Sequence, residues 1–138
     1  MTERTLTIVK PDAVSAGKTG AILAHLEREG FRLAGLKKLR LSADQAKAFY
    51  AVHKARPFYE GLVTFMTEGP VVVVALERTD AVSHLRRVMG ATDSKKAEAG
   101  TIRNLYGTDI ERNAIHGSDS PENAMKEVAF FFSESELI

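Results

Sequence analysis

The chain contains no cysteine. That absence excludes disulfides, thiolate zinc sites, iron–sulfur clusters and cysteine nucleophiles, so covalent chemistry must fall to another side chain. An excess of either charge is lacking too. Nineteen Lys and Arg stand against eighteen Asp and Glu, a formal net charge of +1, which argues against a generally basic surface for nucleic acid or membrane. Local clusters stay hidden in that average. Long apolar runs are also missing: the longest, Val71 to Leu76, has six residues, whereas a membrane span needs about twenty. Met1-Thr2-Glu3-Arg4 leads straight into an alternating segment with no apolar signal-peptide core and no small-residue cleavage pattern, so cytoplasmic residence is the default expectation. Internal repeats, low-complexity stretches and Asn-x-Ser/Thr acceptors do not occur. What remains is ordinary: 138 residues, 44% apolar and 27% charged, fit one folded domain spanning residues 1–138. A chain of this length buries roughly two-thirds of its unfolded surface in one core.

Thr5-Leu6-Thr7-Ile8-Val9 alternates with period two and is rich in β-branched residues, predicting a strand over 4–10. Pro11 suits a first helical turn; Ile22, Leu23 and Leu26 recur at helical spacing until Gly30, with a break near Gly17. Phe31, Leu33, Leu39 and Leu41 share one parity and predict a second strand, with a bulge or exposed edge where Gly35 and Lys37 interrupt it. Ser42 and Gln45 form a capping-box signature, and Ala46, Phe49, Tyr50 and His53 continue as one helical face. After Pro57, the spacing Phe58, Leu62, Phe65, Met66 predicts another short helix ending at Gly69. Val71 to Leu76 is apolar at every position, as a strand buried on both faces would be. Thr79 or Asp80 then caps a helix with Val82, Leu85 and Met89 inward. From Gly90 to Ile115 nothing is strongly periodic, and a loop of that length is usually functional or misassigned. Ser120-Pro121 opens a short helix, and Val128 to Phe132 reads as a last strand. The order fits an α+β sandwich of the split-βαβ, ferredoxin-like kind, a four-stranded antiparallel sheet with flanking helices.

Gly17-Lys18-Thr19 resembles the tail of a P-loop, but the glycine required five positions earlier is Asp12. The fingerprints G-x-G-x-x-G, H-E-x-x-H and G-x-S-x-G and the EF-hand loop are absent. Nucleotide binding, where present, must therefore use another architecture. Four histidines remain as nucleophiles or proton carriers. His25, His53 and His84 fall in predicted helices, where histidine is commonplace, and read as packing or surface residues. His116 differs. It sits in Asn113-Ala114-Ile115-His116-Gly117-Ser118-Asp119-Ser120, between the irregular stretch and a capped helix start. An imidazole with an ordinary pKa of about 6.5 offers a lone pair at neutral pH. Gly117 permits close backbone approach, and the following hydroxyls and helix start suit an anion. The bland alternative is a turn histidine held by Asp119. Lys10, Arg56, Arg86 and Arg103 lie near element ends, and composition does not choose among them.

The octet N-A-I-H-G-S-D-S resembles the active-site signature of nucleoside diphosphate kinases. Further blocks resemble that family in its own order and approximate spacing: T-L-T-I-V-K-P-D-A-V (Thr5–Val14), R-P-F-Y-E-G-L-V (Arg56–Val63), G-P-V-V-V (Gly69–Val73), M-G-A-T-D (Met89–Asp93) and G-T-I-R (Gly100–Arg103). The resemblance implies a ferredoxin-like enzyme moving the terminal phosphoryl group of a nucleoside triphosphate, chiefly ATP, to a nucleoside diphosphate. It implies two half-reactions through a phosphohistidine, with His116 as nucleophile accepting on its δ nitrogen. Glu127, in the family's E-x-x-x-K-E, would hydrogen-bond the other ring nitrogen, with Ser118 supporting that contact. Tyr50 would lie beside the imidazole. Arg86, Thr92 and Arg103 match the family's phosphate-binding positions, Lys10 and Asn113 those at the sugar hydroxyls and phosphates, and Phe58 and Leu62 those that pack on the base. An apolar slot with few base-edge hydrogen bonds implies broad base tolerance. Mg²⁺ is implied as the cofactor, held mostly by nucleotide phosphates and water rather than by a protein cage.

Two departures from the family pattern bear on assembly. Ser94 stands where the loop after Gly90-Ala91-Thr92 usually carries proline, and the chain reaches Ile138 without the longer tail of many members. Members form homo-oligomers, dimers assembled into tetramers or hexamers, and loop and tail contribute to that choice. The reading from a different class is a catalytically silent ferredoxin-like module binding nucleotide or single-stranded nucleic acid. Aromatics interleaved with basic residues on a strand would favour it; Val128 to Phe132 has the aromatics but no Lys or Arg.

Overall fold

The computed structural model describes residues 2–138. Four strands, β1 (Thr2–Val9), β2 (Arg32–Leu39), β3 (Val71–Thr79) and β4 (Ile115–Gly117), form one sheet in the order β2-β3-β1-β4, antiparallel throughout. Between β1 and β2 run α1 (Pro11–Ser15) and α2 (Thr19–Arg28), separated at Gly17, whose φ of +75° a side chain would resist. α3 (Ala43–Phe49) and α4 (Tyr59–Thr67) lead to β3, and α5 (Ala81–Met89) follows it. α6 (Ile102–Tyr106) precedes β4, and α7 (Pro121–Phe131) follows it.

The sheet is covered on both faces, and strand parity decides which face receives each side chain. Val72, Val74 and Leu76 enter one core with Ile22, Leu26, Leu85 and Ile102. Val71, Val73 and Ala75 enter the other with Ala46, Phe65, Met66 and Val128. That two-sided demand is why the β3 run is apolar at every position. β1 divides its alternation likewise: Leu6 and Ile8 join the second core, while Val9 joins the first. β2 carries a register shift between Leu33 and Gly35, the bulge its interrupted pattern predicts. Beyond it parity inverts, so Leu33 packs on the first core and Leu39 on the second.

Three expectations are corrected. Val128 to Phe132 is not a strand: residues 121–131 form α7, which starts from the Ser120 side chain accepting the Asn123 N–H at 3.1 Å and buries Ala124 and Val128 four residues apart. A short apolar run has no period of its own to tell strand from helix, and the capped start upstream decides it. The fourth strand is instead β4, which begins at Ile115, the last residue of the stretch that reads as irregular. That stretch also holds α6, capped by the Thr101 side chain, and a 3₁₀ turn over Ser94–Lys96. Finally, the helix predicted through His53 ends at Phe49 and passes into a 3₁₀ turn, Ala51–His53, although the Ser42–Gln45 capping box forms as read.

Candidate active site

His116 stands at the centre of β4, paired with Ile8 of β1 and therefore facing the second core. So short a strand needs outside support. Thr7 Oγ1 donates to the His116 carbonyl at 2.7 Å, the Ser118 N–H donates to Leu6 O at 3.2 Å, and Arg103 Nη2 donates to Ile115 O at 2.8 Å. Gly117 faces the opposite side, where an added Cβ would meet Met89 Sδ at 2.5 Å and Leu85 Cδ2 at 3.0 Å. α5 can approach β4 only because that position is glycine.

Ring chemistry follows from the partners. His116 Nε2 lies 2.8 Å from Glu127 Oε1, which also accepts from Ser118 Oγ at 2.8 Å. A carboxylate only accepts, so Nε2 carries the proton and Nδ1 keeps the lone pair. Burial depresses the His116 pKa; Glu127 pulls it upward, and the Lys10 and Arg103 charges push with burial. The result is a neutral imidazole of fixed tautomer at neutral pH. Phe49 packs edge-on against the ring at 5.4 Å and Tyr50 at 6.2 Å. The Tyr50 hydroxyl is buried without a partner among the described residues, and burial, aided by Glu127, raises its pKa. Asp119, the partner of the turn-histidine reading, is instead hydrogen-bonded by Asn123 at 2.6 Å.

Every residue that the family resemblance assigns to the site, except Ser118, lines one cleft of about 640 Å³, which Arg56, His25 and His84 do not line; Ser118 is fully buried behind it. Lys10 is buried, its Nζ donating to Asn113 Oδ1 at 2.8 Å, and burial together with Arg103 lowers its pKa to about 8. Asn113 in turn donates to Thr92 O at 3.0 Å, tying the Thr92 loop to the same wall. Arg103 is buried as well: Nη1 donates to Gly90 O at 3.2 Å, while its Nε–H is buried without a partner among the described residues. Burial and the neighbouring Arg86 lower its pKa to about 10, which leaves it charged at neutral pH. Arg86, on α5, donates to Gly117 O at 3.3 Å from an exposed position. Two buried cations and a third at the rim raise the potential of this cleft far above the molecular average.

The mouth is apolar on one side, where Phe58, exposed at 45%, sits beside His53 with ring centroids 5.4 Å apart. His53, Phe49, Glu111, Asn123 and Lys126 also line the cleft, and sequence reasoning missed them. Phe49 and His53 lie on the helical face that reads simply as core; only knowledge of which helix stands over β4 would mark them.

A ferredoxin-like sandwich whose cationic cleft surrounds a carboxylate-held histidine defines the class: a phosphotransferase built for a polyphosphate substrate. The sequence model of nucleoside diphosphate kinase matches residues 3–137. A nucleoside diphosphate kinase of Acidiphilium cryptum is 56% identical over 137 residues, covering 99% of this chain and 98% of the relative. Among solved structures, the Aquifex aeolicus nucleoside diphosphate kinase superposes with a TM-score of 0.98 at 47% identity, covering all of both chains. The halophilic nucleoside diphosphate kinase of Halobacterium salinarum in complex with CDP superposes at 0.95 with 43% identity, covering all of this chain and 92% of that one. The chain belongs to the nucleoside diphosphate kinase family. The silent-module reading is not favoured: the aromatic segment it looked to is helix α7, and both sheet faces are covered. Among the described residues no helix is long and apolar enough to cross a membrane.

Proposed function

We propose that His116 carries the phosphoryl group in a ping-pong exchange between nucleoside triphosphates and diphosphates. The single observation behind this is the hydrogen bond from His116 Nε2 to Glu127, which leaves Nδ1 nucleophilic inside a cationic cleft. In the first half-reaction Nδ1 donates its lone pair to the γ-phosphorus, the bond from that phosphorus to the β,γ-bridging oxygen breaks, and the nucleoside diphosphate leaves with that oxygen. The second half-reaction is the reverse with another diphosphate. As the ring becomes cationic, Glu127 opposes the new charge, with Ser118 holding the carboxylate in place. Lys10, Arg86, Arg103, Thr92 and Asn113 bind the phosphates and sugar, and act mainly by position and charge. Tyr50 packs beside the imidazole and keeps that side of the pocket closed to water.

Phe58 and Leu62 form the apolar side against which a base stacks, in keeping with the CDP held by the Halobacterium relative. Lys10, Arg86, Arg103, Thr92 and Asn113 offer cationic and neutral donors suited to phosphate oxygens, and among the described residues no group of three carboxylates or histidines stands ready to hold a metal, so Mg²⁺ belongs to this proposal as an ion carried on the nucleotide, where it would spread the polyphosphate charge. The proposal extends to one catalytic domain over 1–138, a cytoplasmic setting and a homo-oligomer built from dimers. The assembly rests on membership of the family, and light scattering of the purified chain counts the subunits. The reaction is tested with γ-labelled ATP: an acid-labile, alkali-stable phosphoprotein forms and disappears in His116→Ala. A label that survives that substitution assigns the nucleophile elsewhere.

A further inference from the structure

Asp12 has no part in the mechanism above, yet it touches the segment that delivers the nucleophile. It lies in the first turn of α1, and its Oδ2 accepts the Ala114 N–H at 3.1 Å. Ala114 is fully buried with φ of +73°. Only one other non-glycine residue described has a positive φ, Asp80 at +53°, and aspartate tolerates that region through its short polar side chain. Alanine has no such help. A left-handed alanine persists only where its surroundings over-determine it. Here the Lys10 N–H donates to the Ala114 carbonyl at 2.9 Å, Asp12 holds the Ala114 N–H, and the Ile115 N–H closes a three-residue turn on Asn113 O at 2.9 Å, so that Asp12 supplies the one side-chain restraint among these. His116 follows two residues later, so the backbone direction at Ala114 sets where its imidazole meets Glu127.

We propose that Asp12 is a positioning residue for phosphoryl transfer, clamping Ala114 in the left-handed conformation and so aiming β4 and the His116 ring. The inference rests on His116 being the phosphoryl acceptor. The arrangement is held against resistance: burial pushes the Asp12 carboxyl upward, while the Ala114 N–H and the Lys10 charge favour its ionised form. Asp12 also favours the charged form of Lys10, so a test must separate charge from clamp.

Asp12→Ala and Asp12→Asn lose the same charge, and only the asparagine keeps an oxygen able to accept from Ala114. Single-turnover phosphorylation by γ-labelled ATP is expected to run about tenfold slower in Asp12→Ala than in Asp12→Asn, with equal ADP affinity in the two. Ala114→Gly, which removes the left-handed penalty, restores the rate of Asp12→Ala to within about threefold of the parent. The same substitution raises the melting temperature of Asp12→Ala more than that of the parent. Equal rates in the two Asp12 variants, or no recovery on adding Ala114→Gly, overturn the proposal. Should Asp12→Ala not fold, hydrogen exchange at the Ala114 amide decides. Protection in the parent and in Asp12→Asn supports the clamp, and fast exchange in the parent refutes it. Parent enzyme labelled elsewhere than His116 refutes the nucleophile instead, while the coupling of positions 12 and 114 in melting and exchange stands or falls independently.

Discussion

Two buried groups set the chemistry from opposite directions. His116 is depressed by burial and lifted by Glu127, so Glu127→Gln removes the lifting partner and, in the proposed mechanism, the negative charge that balances the forming imidazolium. Turnover is expected to fall about 10- to 100-fold, with ADP affinity changed less than about threefold and the acidic limb of the transfer rate moved to lower pH. Stopped-flow phosphorylation across pH checks this, and unchanged turnover contradicts the orienting role. Lys10 acts at the alkaline end, its pKa lowered to about 8. Below that pH it is charged, as its proposed phosphate-binding role requires; above it affinity is expected to fall by up to about tenfold per pH unit. Stability of the nucleotide-free protein moves the other way. With the folded pKa near 8 and the unfolded value near 10.5, the unfolded chain binds more protons between them, so the Lys10 contribution to stability rises with pH across that window. Nucleotide titrations and melts from pH 7 to 10 are expected to trend oppositely, and Lys10→Arg moves the loss of affinity to higher pH. His116 was legible because its octet is distinctive, whereas Phe49, packed on the same ring, looks like any core phenylalanine at helical spacing.

β4 shows why one element escaped the sequence while its residues did not. Three residues hold no measurable alternation, and most of what fixes the strand comes from far away in the chain: Leu6, Thr7 and Arg103. The misreading of α7 has the complementary cause, an apolar run whose period is set by a cap eight residues upstream of its start. β3 and the β2 bulge were legible because burial on two faces and a broken parity leave local marks. Support from a distance makes β4 vulnerable at Gly117. In Gly117→Ala the new methyl meets Met89 and Leu85, so either α5 shifts and takes Arg86 with it, or β4 shifts and takes His116. We expect a loss of about 1–3 kcal/mol in stability and at least about a tenfold loss of turnover at temperatures where the protein stays folded. Chemical denaturation and steady-state rates measured together check it; lost stability with full turnover shows that the site tolerates the displacement.

At the scale of the molecule, a net charge of +1 disguises the functional surface. Three of nineteen basic residues, Lys10, Arg86 and Arg103, converge on one cleft while acidic residues elsewhere balance the sum. No count along the chain reveals that; it requires β1, α5 and α6 to bring their ends together. Salt then separates the three. The Debye length is about 10 Å at 0.1 M salt, and screening acts on exposed charge far more than on buried charge. Lys10 and Arg103 are 7% and 5% exposed, whereas Arg86 is open to solvent. Raising salt from about 0.05 to 0.5 M at fixed free Mg²⁺ is therefore expected to lower kcat/KM about three- to tenfold while kcat changes less than about twofold. Arg86→Gln is expected to flatten that slope markedly, because it removes the screened charge and leaves the sheltered pair. A slope equal to the parent's would mean that steering is spread over the whole surface and the cleft has no special part in capturing the polyphosphate.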